Sequence, residues 1–458
     1  MTSQIIVMKF GGTSIENGEA FVRVVDIVRA HVDHHPLIVV SAMSGVTDAL
    51  VESLRIAAGG QAVRAIGILE NHFERHSKIA HSLGAKARTR MELLVEIARR
   101  EIFEILNNTA DTRRADGWQR DVVASYGERL SANLLTFVLA EHGLPTSYVE
   151  AGECILTDER HGNARPLIRE TRRRTRMKLR PLLERGRIPV LGGFIAIAVT
   201  GATTTMGRGS SDYTATIISS ALGARETQIW TDVDGILTAD PRMVASALTV
   251  RQLTYEEAAE LARFGARVLH PKTIEPVINQ RIPIRVCNSY APDKVGTLIC
   301  EFANGLAGSL KAIGHTPNVT AIDVQSSRRL VANGFLRSIK LVFESHQVSF
   351  KVIGSSEVGV SLACKNDELP ASLADELSQL GSVEIKRGQS IVACIGSDLH
   401  EPARRGHYLD WLKSMNPALR WQSTSHLSLV STVAADSSGL TIKNLHHALF
   451  EHDAARPY

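Results

Sequence analysis

The sequence predicts an α/β protein: a large domain on a mostly parallel sheet, followed by two small ferredoxin-like α+β modules. Three observations carry this. Up to about residue 300, short continuous apolar runs alternate with stretches of helical periodicity. These runs end in small or polar clusters, at the strand ends where open parallel sheets bind ligands. Beyond residue 300 the strands alternate apolar and polar residues, in an order that reads β-α-β-β-α-β and then repeats.

Ile5-Ile6-Val7-Met8 is a buried-type strand running into Gly11-Gly12. Phe21, Val24, Val25 and Val28 share one face of a helix over residues 19–32. Leu37-Ile38-Val39-Val40 is a second strand, followed by Ser41-Ala42-Met43-Ser44-Gly45. Two or three helices fill residues 48–106, and another runs over 125–141. Ile188-Pro189-Val190-Leu191 leads into Gly192-Gly193, and Gln228-Ile229-Trp230-Thr231 into Asp232. In the C-terminal third, strands are expected at 319–324, 348–352, 358–362 and 383–385, with helices at 334–343 and 369–380. The order returns with strands at 391–395, 419–421 and 427–433 and helices at 408–415 and 440–450. The expected domains are 1–298, 299–387 and 388–458. The sequence leaves open which strands the modules exchange; residues 308–314 are candidates to cross.

Composition narrows the function classes. The 458 residues are 44% apolar and 22% charged, with a net charge of +4, which excludes general disorder. The five cysteines form no CxxC pair, which argues against a disulfide framework or structural zinc. The N-terminus lacks the features of a secretory leader, and no apolar run reaches the length of a bilayer span, so a cytoplasmic protein is expected. Residues 165–187 hold ten Lys/Arg and two Glu. With no aromatic interleaved for base stacking, this reads as a solvated helix face over Leu167, Ile168, Met177, Leu179 and Leu182 rather than a nucleic-acid patch. His72 and His76 lack a third metal ligand and read as a surface pair. His31, His34 and His35 read as a solvated helix end, and His446 and His447 as part of the terminal helix.

Several motifs sit where chemistry is expected. Lys9-Phe10-Gly11-Gly12-Thr13-Ser14 follows a strand and precedes a helix; its glycines admit a phosphate and Lys9 adds a cation. Neither a Walker loop nor a dinucleotide fingerprint occurs. The Gly/Ser/Thr-rich stretch 201–212 carries Arg208 and Asp212 and opens a helix at 213–222. Asp212 there suits an N-cap, and Arg208 suits a bidentate carboxylate contact. Thr231-Asp232-Val233-Asp234-Gly235 is either a turn or a nucleotide contact.

Taken together, KFGGTS, YGERLS (126–131), GGF (192–194), TTTMGRGSSDYTA (203–215), TDVDGILTADPR (231–242) and FGARVLHP (264–271) resemble the signature set of aspartate kinases in the amino acid kinase superfamily. Residues 334–362 resemble the first of that family's tandem ACT modules, and 444–450 the closing helix of the second. The resemblance implies an amino acid kinase-like αβα sandwich and ATP-dependent phosphorylation of L-aspartate with Mg²⁺. That reaction opens lysine, threonine and methionine biosynthesis. Lys9, Gly11 and Gly12 are then expected to hold the ATP phosphates, with Thr231, Asp232, Leu237, Arg242 and Arg267 on the nucleotide. Ser41, Thr47 and Phe194 are expected to line the aspartate pocket. Glu128 faces its α-ammonium and Arg208 its α-carboxylate, while Ser211 and Asp212 lie beside the reacting group and Asp212 orients Lys9. An amino-acid effector is expected at Gly334, Phe335, Leu336, Lys351, Ser356 and Glu357. A homodimer through the ACT modules follows, with no resident metal site, nucleic acid or membrane partner.

Three positions depart from the family pattern. Leu237 stands where Tyr is common, Arg267 where Lys is usual, and Lys351 where lysine-inhibited members carry Asp. A cation at Lys351 repels a lysine ammonium, so weak or absent lysine inhibition is expected. With no dinucleotide fingerprint and an end at Tyr458, the chain is expected to lack a homoserine dehydrogenase domain. An N-acetylglutamate kinase is the alternative within the fold, and Glu128 disfavours it because an acylated amine carries no charge. A catalytically silent amino-acid sensor is the alternative in another class, disfavoured by the presence of Lys9, Arg208 and Asp212.

Overall fold

The computed structural model describes residues 4–207, 209–265, 269–302, 310–326, 332–355, 359–365, 369–397, 399, 402–416 and 419–451. In chain order the elements begin β1 (Ile6–Phe10), α1 (Gly18–Ala30), β2 (Leu37–Val40), α2 (Val46–Ala58), α3 (Ala62–Ala80), α4 (Ala85–Thr112) and α5 (Gly117–Glu141). They continue β3 (Thr146–Tyr148), α6 (Ala151–Cys154), β4 (Leu156–Thr157), α7 (Ile168–Glu184), β5 (Ile188–Gly192), β6 (Ile195–Ala198), β7 (Thr203–Thr205), α8 (Ser210–Leu222) and β8 (Glu226–Thr231). Next come β9 (Gln252–Thr254), α9 (Tyr255–Arg263), α10 (Pro271–Ile278), β10 (Ile284–Asn288), β11 (Thr297–Cys300), β12 (Leu310–Ser326), α11 (Ala332–Ser345), β13 (Phe350–Ser355) and β14 (Gly359–Lys365). The chain closes with α12 (Ala371–Ser378), β15 (Gly381–Gly396), α13 (Pro402–Met415), β16 (Gln422–Ser425), β17 (Ser428–Ala434) and α14 (Ser438–His446), which runs on as a π-helical turn.

Two compact units result: Met1–Gly235 with Lys272–Glu301, and Ile236–Pro271 with Phe302–Tyr458. In the first, strands lie in the order β3-β5-β2-β1-β8-β10-β11, parallel except for β11. Alternation along β1 sorts its side chains. Ile6, Met8 and Phe10 enter a core with Val24, Val25 and Val28 of α1, Ile38 and Val40 of β2, and apolar residues of α2 to α5. Lys9 falls on the opposite face, toward α8. Phe10 pairs in register with Val40 and Trp230, Val40 with Gly192, and Thr231 with Asn288. The carboxyl ends of β1, β2, β5, β8 and β10 therefore line one edge, and the small and polar clusters anticipated from sequence share it.

The second unit has one sheet in the order β13-β14-β12-β15-β17-β16. β12 and β15 span both modules. Residues 319–326 of β12 pair with β14 and with residues 381–389, and residues 310–316 pair with 391–396. The expected boundary at 387/388 thus falls inside a continuous strand, and the start of β12 crosses into the second module. Two cores lie on this sheet. One holds Ile322, Ile339, Phe343, Leu362 and Leu373; the other holds Val392, Cys394, Leu412, Leu429 and Ile442. Ala239 and Val244 belong to the latter, so Ile236–Pro271, expected within the catalytic domain, folds with the modules instead.

Other local expectations shift. Ile168 and Met177 of α7 are exposed; its buried line is Thr171, Thr175, Leu179 and Leu183, spaced by four residues rather than set by the apolar side chains alone. The strand expected at 419–421 lies at Gln422–Ser425, with Trp421 buried in the core before it. No helix among the described residues is long and apolar enough to cross a membrane.

Helix α9 opens with a capping box, Thr254 bonding the Glu257 amide and the Glu257 carboxylate the Thr254 amide. The fully buried Glu257 carboxylate also takes Lys311 Nζ at 2.8 Å. Removing one partner of a buried pair strands the other charge. Lys311→Met is expected to cost about 3–5 kcal/mol in urea denaturation at pH 7, with much of it restored by adding Glu257→Gln. An unchanged midpoint for Lys311→Met contradicts this role.

Candidate active site

Lys9 is the last inward residue of β1 on the α8 face, and its Nζ lies 2.6 Å from Asp212 Oδ1, both side chains nearly buried. Asp212 is not the cap of α8. Gly209 takes that place in the left-handed region (φ 74°), and Asp212 sits in the first turn with its carboxylate turned to Lys9. A cation and the positive end of a helix are thereby focused on one point.

The glycine turn follows. The Gly11 amide donates to the Trp230 carbonyl (3.0 Å), so it belongs to the sheet. Among the described residues, the Gly12 and Thr13 amides carry no such bond and are the donors available to an anion. Gly12 is also where β1 meets the loop after β2: the Ser44 amide donates to the Gly12 carbonyl (3.2 Å). A Cβ on Gly12 would sit 2.8 Å from the Ala42 carbonyl oxygen, which only glycine avoids. Ser41 and Thr47, in this loop and the first turn of α2, are half-buried. Ser131 of α5 anchors the loop by donating to the Ser41 carbonyl (2.6 Å).

Glu128 lies mid-way along α5, a helix buried over most of its surface. Burial pushes its carboxyl up to about 8; the Ala42 amide and the nearby Lys9 charge oppose this only in part. Glu128 Oε2 has no hydrogen-bond partner among the described residues. A buried acceptor left open is costly unless something fills it. The β5 end closes over this spot. A Cβ on Gly193 would lie 2.5 Å from the Ser211 Cβ, so the strand end and the start of α8 touch backbone to side chain. Phe194 follows with a positive φ of 66°, held by its amide donating to Thr214 Oγ1. Lys9, Gly12, Ser41, Glu128, Ser211 and Asp212 are thus brought to one edge of the sheet.

At the end of β8, Thr231 Oγ1 bonds the exposed Asp232 carboxylate. Sequence reasoning missed the groups around it. Lys294 Nζ and Asn288 Nδ2 each lie 2.6 Å from an Asp234 carboxylate oxygen, and Lys294 holds that carboxyl below its ordinary range. Ser289 shares a hydroxyl bond with Ser14 (2.8 Å), and Tyr290 donates to the Thr13 carbonyl and Glu16. Asp121 was missed too. Fully buried on α5, it accepts from His161 and the Gly162 amide and from Thr205, at the end of β7. No sequence spacing pointed to these residues, because their partners come from distant loops.

Other expected residues lie elsewhere. Leu237 and Arg242 belong to the second unit, where the exposed Arg242 pairs with Asp240 and lowers that carboxyl. Arg208, Arg267, Ser356 and Glu357 fall outside the described residues. Gly334, Phe335 and Leu336 form the first turn of α11. Lys351 of β13 donates to the Arg263 carbonyl (2.6 Å) at the end of α9, and Arg263 donates back to the Val352 carbonyl (2.8 Å). It serves as a helix C-terminal cation, lowered by burial and by Arg263. His72 and His76 are no surface pair: His76 is buried and its imidazole is pushed down to about 4. His31 is half-buried with its edge on Trp230, and His446 is buried against Thr238.

The amino acid kinase family model matches residues 4–288. The chloroplastic aspartokinase 3 of Arabidopsis thaliana is 33% identical over 98% of this chain and 82% of its own length. Two solved structures match across nearly the whole chain. Escherichia coli aspartokinase III in complex with aspartate and ADP (R-state) has a TM-score of 0.80 at 31% identity, covering 97% of this chain and 100% of that one. The same enzyme in complex with lysine and aspartate (T-state) has a TM-score of 0.79 at 32% identity, covering 98% and 100%. The chain belongs to the amino acid kinase family and, within it, to the aspartokinases.

Proposed function

We propose that this chain transfers the γ-phosphoryl group of ATP to the β-carboxylate of L-aspartate, giving 4-phospho-L-aspartate and ADP. The observation that carries the reading is the buried, open carboxylate of Glu128 beside the Lys9–Asp212 pair. A free α-ammonium satisfies it and an acylated amine does not, which sets aspartate ahead of N-acetylglutamate. A silent sensor has no use for a cation aligned with a helix N-terminus.

The acceptor is already a nucleophile. A β-carboxylate oxygen attacks the γ-phosphorus, the bond to the bridging oxygen breaks, and ADP leaves with the electron pair; no general base is required. The difficulty is that two anions must meet. Lys9 neutralises phosphate charge, the Gly12 and Thr13 amides receive a phosphate oxygen, and Asp212 holds Lys9 in place. Ser41, Thr47, Phe194 and Ser211 line the aspartate site, with Arg208 on the α-carboxylate. Thr231 and Asp232, at the end of β8, serve the nucleotide. Among the described residues no group of three or more acidic, His or Cys side chains could hold a metal. Mg²⁺ carried by the ATP phosphates would offset part of their charge.

The two modules are regulatory, and the enzyme is a cytoplasmic homodimer paired through them. The FGARVLHP segment follows α9, whose end is tied to β13 by the Lys351 and Arg263 bonds. An amino acid bound at the first module can therefore pull on the end of α9. The lysine complex of the E. coli relative makes lysine the first effector to consider. Lys351 argues against it here, because a second ammonium would meet a fixed one.

Hydroxylamine trapping should yield aspartyl hydroxamate from ATP and aspartate but none from N-acetylglutamate; the reverse result overturns the assignment. Because the Glu128 carboxyl sits at about 8 in the free site, it is largely protonated at pH 7. An arriving ammonium must expel that proton, so aspartate affinity weakens about tenfold per pH unit below that value. Calorimetry in buffers of different ionisation enthalpy should show about one proton released per aspartate at pH 7. A pH-independent affinity from 6 to 8 contradicts this role. Lysine at millimolar concentration is expected to leave most activity intact, and a low-micromolar inhibition constant refutes the reading of Lys351.

A further inference from the structure

The helices α3 and α4 lie outside the chemistry just described, yet one side chain from α3 reaches it. Arg75 Nη1 donates to the Ser44 carbonyl (2.9 Å), and Nη2 donates to the Glu16 carbonyl (3.0 Å). These acceptors belong to different strand ends. Ser44 lies in the loop between β2 and α2, just before Gly45, which caps α2 with φ 80°. Glu16 ends the short 3-10 turn (Thr13–Ile15) that follows the glycine turn of β1. Among the described residues no backbone amide outside the helices and strands donates to either carbonyl.

The guanidinium is itself fixed. Nη1 lies 3.3 Å from His72 Nδ1, one turn earlier on α3, and a neutral imidazole accepts there. Burial and the Arg75 charge both lower the His72 imidazole, which keeps it neutral. His76, one turn further along, bonds the His72 carbonyl and is fully buried. On the other side, Tyr290 bonds the Glu16 carboxylate and stacks under Arg23, 4.2 Å from the ring centre. Arg75 is thus a planar fork on a rigid helix with one prong in each of two loops.

We propose that Arg75 is a positioning residue for phosphoryl transfer: it sets the spacing between the loop that holds the phosphates and the loop that holds the acceptor carboxylate. The inference rests on the assignment of nucleotide to the β1 turn and aspartate to the β2 loop. Each loop has its own anchors, Trp230 and Ser289 for the first and Ser131 for the second. Loss of Arg75 therefore leaves each ligand its own site but loosens the alignment between them. In-line transfer is far more sensitive to such loosening than binding is, since a misplacement of about 1 Å costs about 100-fold in rate.

The test measures Arg75→Ala and Arg75→Lys in the full chain. Arg75→Ala is expected to lower kcat about 30- to 100-fold. ADP and aspartate dissociation constants, each measured singly by calorimetry, should move less than about threefold. Free guanidinium should restore part of kcat to Arg75→Ala. Arg75→Lys should resemble Arg75→Ala, since a single ammonium cannot span both carbonyls. A wild-type kcat in Arg75→Ala overturns the proposal. So does a loss that guanidinium leaves unchanged and that falls equally on single-ligand binding or on melting temperature. Hydroxamate formation by the unaltered enzyme is scored separately, so failure of the aspartate kinase reading is not confused with failure of this one.

Discussion

The ion pair between Lys9 and Asp212 ties the end of β1 to the first turn of α8, at the edge where the strand ends gather. The two residues are far apart in sequence and meet because a strand alternates its faces while the first turn of a helix aims at the strand's end. An isolated cation at that depth would be costly, and a fully exposed one would be screened. The pair solves both problems. On the proposed reading, Asp212 holds Lys9 until phosphates arrive, and the N-terminus of α8 adds its own positive potential beside the pair. When phosphates arrive, the cation is already in position and little reorganisation is needed.

Glu128 shows the opposite design. It is a charge-bearing group kept short of partners, in a helix against which the end of β5 presses at Gly192. On the proposed reading, the desolvation that raises its proton affinity would be offset when a cationic ligand fills the gap, so part of the discrimination between charged and acylated amines would be built in before binding. The backbone around the site is equally committed. Gly12 and the Ala42 carbonyl lie too close for any side chain, which ties the phosphate turn to the acceptor loop at one point, and Arg75 ties them at a second.

Much of this was legible in the sequence. The apolar strands β1, β2, β5 and β8 and the small-residue clusters after them could be read because burial on both faces leaves an unbroken apolar run and ligand-facing turns need glycine. The ordered motifs named the family. What the sequence hid is long-range. Nothing local marks Ile236–Pro271 as part of the regulatory half, since its core contacts are to β12, β15 and the terminal helix. β12 read as one short strand over 319–324 and β15 as two, over 383–385 and 391–395, because the pairing between them slips at bulges near Thr316 and Val319. His76 looked like a surface residue because a polar side chain at helical spacing gives no hint that neighbouring helices cover it. Arg75, Lys294 and Asp121 were invisible for the same reason: their partners, two carbonyls for Arg75, a carboxylate for Lys294 and an imidazole, an amide and a hydroxyl for Asp121, lie far along the chain and are reached only after folding.

The most direct test of the central claim is a double-mutant cycle on the phosphoryl-transfer step with Lys9→Met, Asp212→Asn and both together. If Asp212 acts by holding Lys9, the second substitution adds little once the first is made, and the single losses overlap by most of the Asp212→Asn effect. If the losses multiply independently, the two residues act apart, and the cationic cradle is not what brings the two anions together.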